Sequence, residues 1–81
     1  MTKAEVLAGL KEVLGVIRPN TDLGNVGYET ELVKELGVDS LTMMLLSLSV
    51  EEKFKMRFPA GQEPFKTVGE VCDFVLGATS L

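Results

Sequence analysis

Residues 39–55 read DSLTMMLLSLSVEEKFK, and they carry the strongest helical signal in the chain. Asp39 is a good N-cap residue, because its carboxylate can accept from the free N–H groups of a first helical turn. No glycine or proline follows within the stretch, and Lys53 and Lys55 suit the negative end of a helix dipole. The pattern predicts a helix over residues 39–55.

Apolar side chains of this helix form two stripes on nearly opposite sides, at about 100° per residue. The first stripe comprises Met43, Leu46, Ser47, Val50 and Phe54. The second, here called the outer stripe, comprises Leu41, Met44, Leu45 and Leu48. The outer stripe continues into Glu52 and Lys55, so we expect it to face solvent and the first stripe to face the core. The alternative is a central helix buried on all sides, but 81 residues offer little to cover it.

Two further helices are predicted on either side. Residues 2–18 begin with a Thr2/Glu5 capping box and end before Pro19. Their apolar side chains recur at helical spacing and comprise Val6, Leu7, Leu10, Val13, Leu14 and Ile17. The last helix starts at Thr67 with a second capping box, completed by Glu70, and we expect Gly77 to end it. Its apolar face comprises Val68, Val71, Cys72, Val75 and Leu76.

Turn-forming residues dominate the two connections. Residues 19–38 are predicted to be mostly loop, with a helical turn over residues 31–36 that Gly37 ends. So long a loop should be pinned to the core, by Leu23, Val26, Tyr28, Leu32, Val33 and Leu36. Phe58-Pro59 should close the second helix, and any helix over residues 60–66 should be short and irregular. The fold predicted is all-α: a small bundle of three main helices plus one short irregular helix, with a long first loop.

Composition excludes several function classes. Eight basic and twelve acidic residues give a net charge of −4, a poor match to nucleic acid. No apolar run reaches the roughly 18 residues of a membrane span, so we expect no membrane embedding. The chain has no histidine and one cysteine, Cys72, which excludes disulfides, Cys/His zinc sites and Ser–His pairs. We expect Cys72 to lie in the core. Because a free thiol suits a reducing compartment, we expect the protein to be cytoplasmic. We also expect it to be a monomer.

A serine stands where the strongest helix begins. Backbone N–H groups and the helix dipole favour an anion there, so a phosphate esterified to Ser40 would be well placed. Gly37 leaves space for another protein to approach. The charge of Asp39 would oppose a phosphate unless a divalent metal bridges the two during attachment. Taken alone, the tripeptide Asp39-Ser40-Leu41 is equally an ordinary N-cap followed by helix formers.

The surrounding residues change this interpretation. Residues 32–41, LVKELGVDSL, closely resemble the acyl carrier protein family around its prosthetic-group site. Further matches follow in order at residues 51–54, at Phe58-Pro59 and at residues 67–71, so the resemblance covers essentially the whole chain. It implies one acyl carrier domain over residues 1–81, which begins and ends like a free-standing carrier.

The resemblance also implies a function. Ser40 would carry 4′-phosphopantetheine through a phosphodiester, with Gly37, Val38 and Asp39 beside it and Asp39 as a transferase and metal contact. The arm's thiol would hold acyl groups as thioesters for separate enzymes of fatty-acid, lipid or polyketide-type biosynthesis. Such a carrier is not itself an enzyme. Its implied partners are a phosphopantetheinyl transferase using Mg²⁺ and coenzyme A, and acyl-loading, acyl-transfer or condensing enzymes.

The chain departs from the family on the second helix, the usual recognition surface. Fatty-acid-synthesis members are strongly acidic there, whereas this chain has Thr42 and Leu45 at the matching positions. We therefore predict a specialised carrier that its partners recognise by apolar contact more than by charge. Its docking should depend less on salt than that of the acidic members. The predicted partner surface comprises Leu41, Met44, Leu45, Leu48, Glu51 and Glu52.

Two other functions are alternatives to an acyl carrier. A serine hydrolase would need a general base for Ser40, and the chain has no histidine. An interaction module with no prosthetic group, docking through the outer stripe alone, is the remaining alternative.

Overall fold

Three α-helices form the structure, a computed structural model that describes residues 2–20 and 22–79. They are α1 (Lys3–Ile17), α2 (Ser40–Phe54) and α3 (Val68–Thr79). Helix α1 packs against both of the others. The all-α prediction is confirmed, and the described residues contain no strand longer than one isolated bridge, between Glu31 and Thr67. Among these residues no helix is long and apolar enough to cross a membrane.

Capping residues set the helix starts as the sequence predicts. Thr2 Oγ1 accepts from Glu5 N at 3.2 Å, and a Glu5 carboxylate oxygen accepts from Thr2 N at 2.9 Å, which completes the capping box of α1. At α3, Thr67 Oγ1 accepts from Glu70 N at 3.2 Å. Helix α1 ends at Ile17, one residue before the Arg18-Pro19 pair, because the residue before a proline avoids the helical conformation.

Two helix ends differ from the predictions. Helix α2 is ended by Lys55 in the left-handed conformation (φ 55°), with the N–H groups of Lys55 and Met56 both donating to Glu51 O, and not by Phe58-Pro59. Helix α3 runs through Gly77 to Thr79, so Gly77 does not end it. Thr79 Oγ1 donates to Val75 O at 2.8 Å in the last turn.

The short helix lies in the first connection. It is a 3-10 turn at Leu23–Asn25, which begins where the Asp22 carboxylate accepts from Gly24 N at 3.2 Å. Residues 60–66 form no helix: they contain a turn at 60–61 and are otherwise irregular, because Gly61 adopts a left-handed φ of 81° and Pro64 lacks a donor N–H. Residues 31–36 form the predicted helical turn, with Glu35 N donating to Glu31 O at 3.0 Å.

One core joins the helices to the long first connection. Its fully buried side chains are apolar and include Leu14, Leu32, Val38, Val50 and Cys72. Val26 and Leu32 pin the connection to the core as predicted, and Leu23, Tyr28 and Leu36 pack against it half-buried. The prediction for Val33 is wrong, since this side chain is 59% exposed.

Candidate functional site

Ser40 is the first residue of α2, and it is exposed. The helix begins there because the Asp39 carboxylate accepts from Thr42 N at 2.8 Å, while Asp39 O accepts from Met43 N at 2.8 Å. The hydroxyl therefore stands at the positive end of a 15-residue helix. An anion on this oxygen is favoured by that position.

Asp39 keeps a negative charge beside the serine. Its hydrogen bond from Thr42 N lowers the pKa of the Asp39 carboxyl, and the nearby positive charge of Arg18 lowers this pKa further. The carboxylate is thus ionised at neutral pH. A phosphate arriving at Ser40 meets this charge, as the sequence indicated, and a cation between the two would relieve the repulsion. Among residues 2–20 and 22–79 no group of three acidic or cysteine side chains is placed to hold a metal ion by itself.

Gly37 and Val38 form the approach to the serine. Gly37 adopts a left-handed φ of 66°, which a residue with a side chain rarely does. Val38 is 1% exposed, and its N–H donates to Leu32 O at 3.0 Å, so it anchors the segment in the core. Both residues shape the backbone ahead of Ser40, and only Gly37, which is exposed, leaves room for another protein.

A residue that the sequence did not mark also reaches this segment. Arg18 Nη1 donates to Gly37 O at 3.2 Å. The two residues are 19 positions apart, and no local pattern in the sequence signals the contact.

A groove of about 310 Å³ opens beside Ser40, between α2 and the connection that follows it. Its α2 wall is formed by Met43, Met44 and Ser47, and its far wall by Phe58, Phe65 and residues between them. Phe58, Phe65 and Phe74 pack together behind it, with ring centroids 5.2–5.6 Å apart. A flexible group attached at Ser40 has a mostly apolar surface within reach.

The orientation of α2 agrees with the two-stripe prediction. Leu46 and Val50 are buried at 3% and 0% exposure, whereas the outer stripe is open to solvent. Its exposed fractions are 66% for Leu41, 61% for Met44, 46% for Leu45 and 57% for Leu48. Four large apolar side chains on one exposed face are unusual unless a partner covers them.

The two acidic residues of the predicted partner surface differ in environment. Glu52 is exposed and open to a partner. Glu51 is half-buried, and its carboxylate accepts from Phe58 N at 2.7 Å. Glu51 therefore holds the connection after α2, beside the groove, and its charge is partly committed within the chain.

Cys72 and Tyr28 lie away from this site. Cys72 is fully buried, as predicted, and burial raises the pKa of its thiol to about 11. Tyr28 anchors the first connection through its carbonyl, which accepts from Gly69 N at 2.7 Å. Lys3 Nζ lies 4.7 Å from the centre of the Tyr28 ring and 3.0 Å from a carboxylate oxygen of Asp73.

The site fits a covalently attached phosphopantetheine group. The first N–H groups of a helix have no acceptors within it, so the start of α2 can receive a phosphate oxygen. Ser40 presents an exposed hydroxyl, the kind of group to which a phosphate ester can be joined. The groove beside it offers an apolar wall to an extended arm. The ionised carboxylate of Asp39 is unfavourable for a phosphate at this position.

Comparison with known proteins gives the same family as the sequence pattern. The family model described as "Phosphopantetheine attachment site" matches residues 4–75. An acyl carrier protein of Acidothermus cellulolyticus is 35% identical over 82 residues, covering 98% of this chain and 94% of that protein. One from Myxococcus xanthus is 33% identical, covering 95% of this chain and 98% of that protein. One from Helicobacter pylori is 40% identical over 57 residues, covering 69% of this chain and 73% of that protein.

Proposed function

The chain belongs to the acyl carrier protein family, and we propose that Ser40 is the residue to which its phosphopantetheine group is attached. Members of this family are carriers and not catalysts, and their cofactor is 4′-phosphopantetheine. The observation that carries the proposal is the position of Ser40: an exposed hydroxyl on the first residue of α2, directly after the capping Asp39.

Attachment is a phosphoryl transfer onto the serine oxygen. Ser40 Oγ would form a bond to the phosphorus that carries pantetheine in coenzyme A, the P–O bond from this phosphorus to the second phosphate would break with release of 3′,5′-ADP, and the hydroxyl proton would pass to a base on the transferase. The start of α2 stabilises the negative charge on the phosphate oxygens. Asp39 would supply a carboxylate to the Mg²⁺ that accompanies this reaction.

The attached group supplies a thiol on a flexible arm, which holds an acyl group as a thioester. The chain's own contribution is to present that arm. Met43, Ser47 and Phe65 line the groove along which the arm can lie, and the outer stripe offers each enzyme an apolar face beside it. The acyl group is thereby delivered in turn to separate loading, transfer or condensing enzymes of fatty-acid, lipid or polyketide-type biosynthesis.

The outer stripe supports a specialised carrier. Leu45 and Thr42 stand where an acidic surface would steer a partner by charge, so docking here relies on apolar contact. Association with partner enzymes should then depend weakly on salt. Methionine in the stripe suits a surface that meets several partners, because its side chain adapts to different shapes.

We propose further that residues 1–81 form a single carrier domain that acts as a monomer in the cytoplasm. The family match spans most of the chain, and one core unites all three helices. The lone thiol of Cys72, buried and reduced, suits a reducing compartment.

Incubation with coenzyme A and a broad-specificity transferase tests the attachment site. The intact mass should rise by one phosphopantetheine for the wild type and for Ser49→Ala, a control on the same helix, but not for Ser40→Ala. No gain by the wild type would favour an interaction module that docks through the outer stripe alone. A gain that survives Ser40→Ala would exclude Ser40 as the attachment residue.

A further inference from the structure

We propose that Arg18 is a positioning residue for the loading of Ser40, because its side chain fixes the backbone segment that leads into α2. Arg18 Nη1 donates to Gly37 O at 3.2 Å, and Ser40 follows Gly37 by three residues. Three residues span at most about 11 Å, so the clamped carbonyl is close to the attachment oxygen. The inference rests on the proposed function of Ser40 and adds a residue that neither the sequence motif nor the family match marks.

The segment before Ser40 needs such a clamp because it changes direction at Gly37. The left-handed φ of 66° turns the chain out of the helical turn at residues 31–36 and into α2. Gly37 N donates to Val33 O at 3.1 Å, and Val38 N donates to Leu32 O at 3.0 Å. These two bonds tie the segment to the turn just before it, and the buried Val38 side chain anchors it in the core. The bond from Arg18 adds a direct hydrogen bond between this segment and the end of α1.

Arg18 is well suited to hold this carbonyl. It ends α1, where its own N–H donates to Leu14 O at 2.7 Å, and Pro19 restricts its backbone. Helix α1 packs on both other helices, so Arg18 extends from the end of an element that the core holds in place. A planar guanidinium gives a charge-assisted and directional hydrogen bond, which the single flexible ammonium of a lysine reproduces poorly.

The guanidinium also lies beside Gly37. A Cβ atom built on Gly37 would lie 3.6 Å from Arg18 Nη2, an ordinary contact distance, and the glycine itself remains exposed. Within the described part of the chain the ion pairs are Lys3–Asp73, Lys34–Glu31 and Lys53–Glu12, and Arg18 belongs to none of them. Its Nη1 donates to the Gly37 carbonyl, while its charge acts on the nearby Asp39 carboxylate without forming an ion pair with it.

A clamp of this kind should act on binding to the transferase. Without it, the segment from Gly37 to Ser40 spends part of its time in other conformations, and apparent affinity falls by the fraction of chains that remain competent. The KM for the carrier should rise while kcat changes little, because the bound complex is the same. A purely structural role would instead lower the melting temperature and leave KM unchanged.

The experiment measures KM and kcat for phosphopantetheine transfer from coenzyme A onto the wild type, Arg18→Ala, Arg18→Lys and the control Lys34→Ala. Lys34→Ala removes a positive charge from the adjacent turn but keeps the clamp. We expect KM to rise about tenfold in Arg18→Ala, equivalent to about 1.4 kcal/mol, with kcat within twofold. The KM of Arg18→Lys should lie between those of the wild type and Arg18→Ala, and the KM of Lys34→Ala should match that of the wild type.

Amide hydrogen exchange supplies a readout independent of the transferase. The N–H groups of Gly37 and Val38 should exchange faster in Arg18→Ala, while those in the middle of α1 keep their protection. If Arg18→Ala does not fold, Arg18→Lys is judged by the same two measurements. A KM within twofold of the wild type, a loss confined to kcat, or an equal loss in Lys34→Ala would overturn the proposal. Failure of the wild type itself to load would instead contradict the function proposed for Ser40.

Discussion

The amide nitrogen of Gly69 donates to the carbonyl oxygen of Tyr28 at 2.7 Å, which brings the first turn of α3 directly against the long first connection. A Cβ atom on Gly69 would lie 2.8 Å from that oxygen and 3.3 Å from Tyr28 Cβ. A side chain at this position would therefore push the connection away from the helix. The glycine allows α3 to hold the loop that precedes Ser40.

Replacement of this glycine should destabilise the fold. Gly69→Ala is expected to lower the free energy of unfolding by about 1–3 kcal/mol, because the overlap is with backbone that cannot rotate away. The better helix propensity of alanine, worth about 1 kcal/mol, offsets only part of this. Urea denaturation monitored by circular dichroism measures the change.

Gly77→Ala is the matched control on the same helix. Nothing lies within 4 Å of a Cβ atom built there, so this variant should be more stable than the wild type by about 0.5–1 kcal/mol. Equal stability of the two variants would show that the contact between Gly69 and Tyr28 does not constrain the helix.

Neighbouring leucines on α2 should respond in opposite ways. Leu46→Ala removes a side chain that is 3% exposed and should cost about 2–5 kcal/mol of unfolding free energy. Leu45→Ala and Leu45→Glu change a side chain that is 46% exposed and should stay within about 0.5 kcal/mol of the wild type.

Binding of partner enzymes should depend on Leu45, the position that matters little for stability. Leu45→Glu places a charge in the outer stripe and should weaken association with enzymes that bind it, as measured by titration calorimetry. Leu45→Ala separates lost contact area from added charge. A Leu45→Glu variant as unstable as Leu46→Ala would contradict the orientation of α2.

Thiol titration should distinguish Cys72 from the prosthetic arm. The Cys72 thiol is fully buried and has a pKa of about 11, so at pH 8 it should react slowly with a disulfide reagent. The unloaded native chain should show no fast-reacting thiol. The unloaded chain in urea and the loaded native chain should each show one. A fast thiol in the unloaded native chain would contradict the burial of Cys72.

Much of this fold follows from local signals in the sequence. The starts of the three helices can be predicted from their capping residues, Thr2, Asp39 and Thr67, because capping involves residues only two or three positions apart. The exposed face of α2 was also predictable, since the outer stripe continues into Glu52 and Lys55. Ser40 was identified as the candidate residue by its place at a helix start and by the motif around it.

The features that the sequence did not reveal depend on contacts between distant residues. Arg18 reaches Gly37 across 19 positions, and no pattern in the sequence encodes that pairing. The carboxylate of Glu51 is turned inward by the N–H of Phe58, a bond that composition and periodicity do not indicate. Gly77 looks like a helix end, yet α3 continues through it to Thr79.

Mass spectrometric mapping of the loaded protein tests the central claim most directly. After incubation with coenzyme A and a transferase, the chain would be digested and the modified peptide fragmented to locate the added group. The prediction is a single phosphopantetheine on Ser40, with Ser47 and Ser49 unmodified. A modification on another residue, or an unmodified chain after complete reaction of a known carrier in parallel, would contradict it.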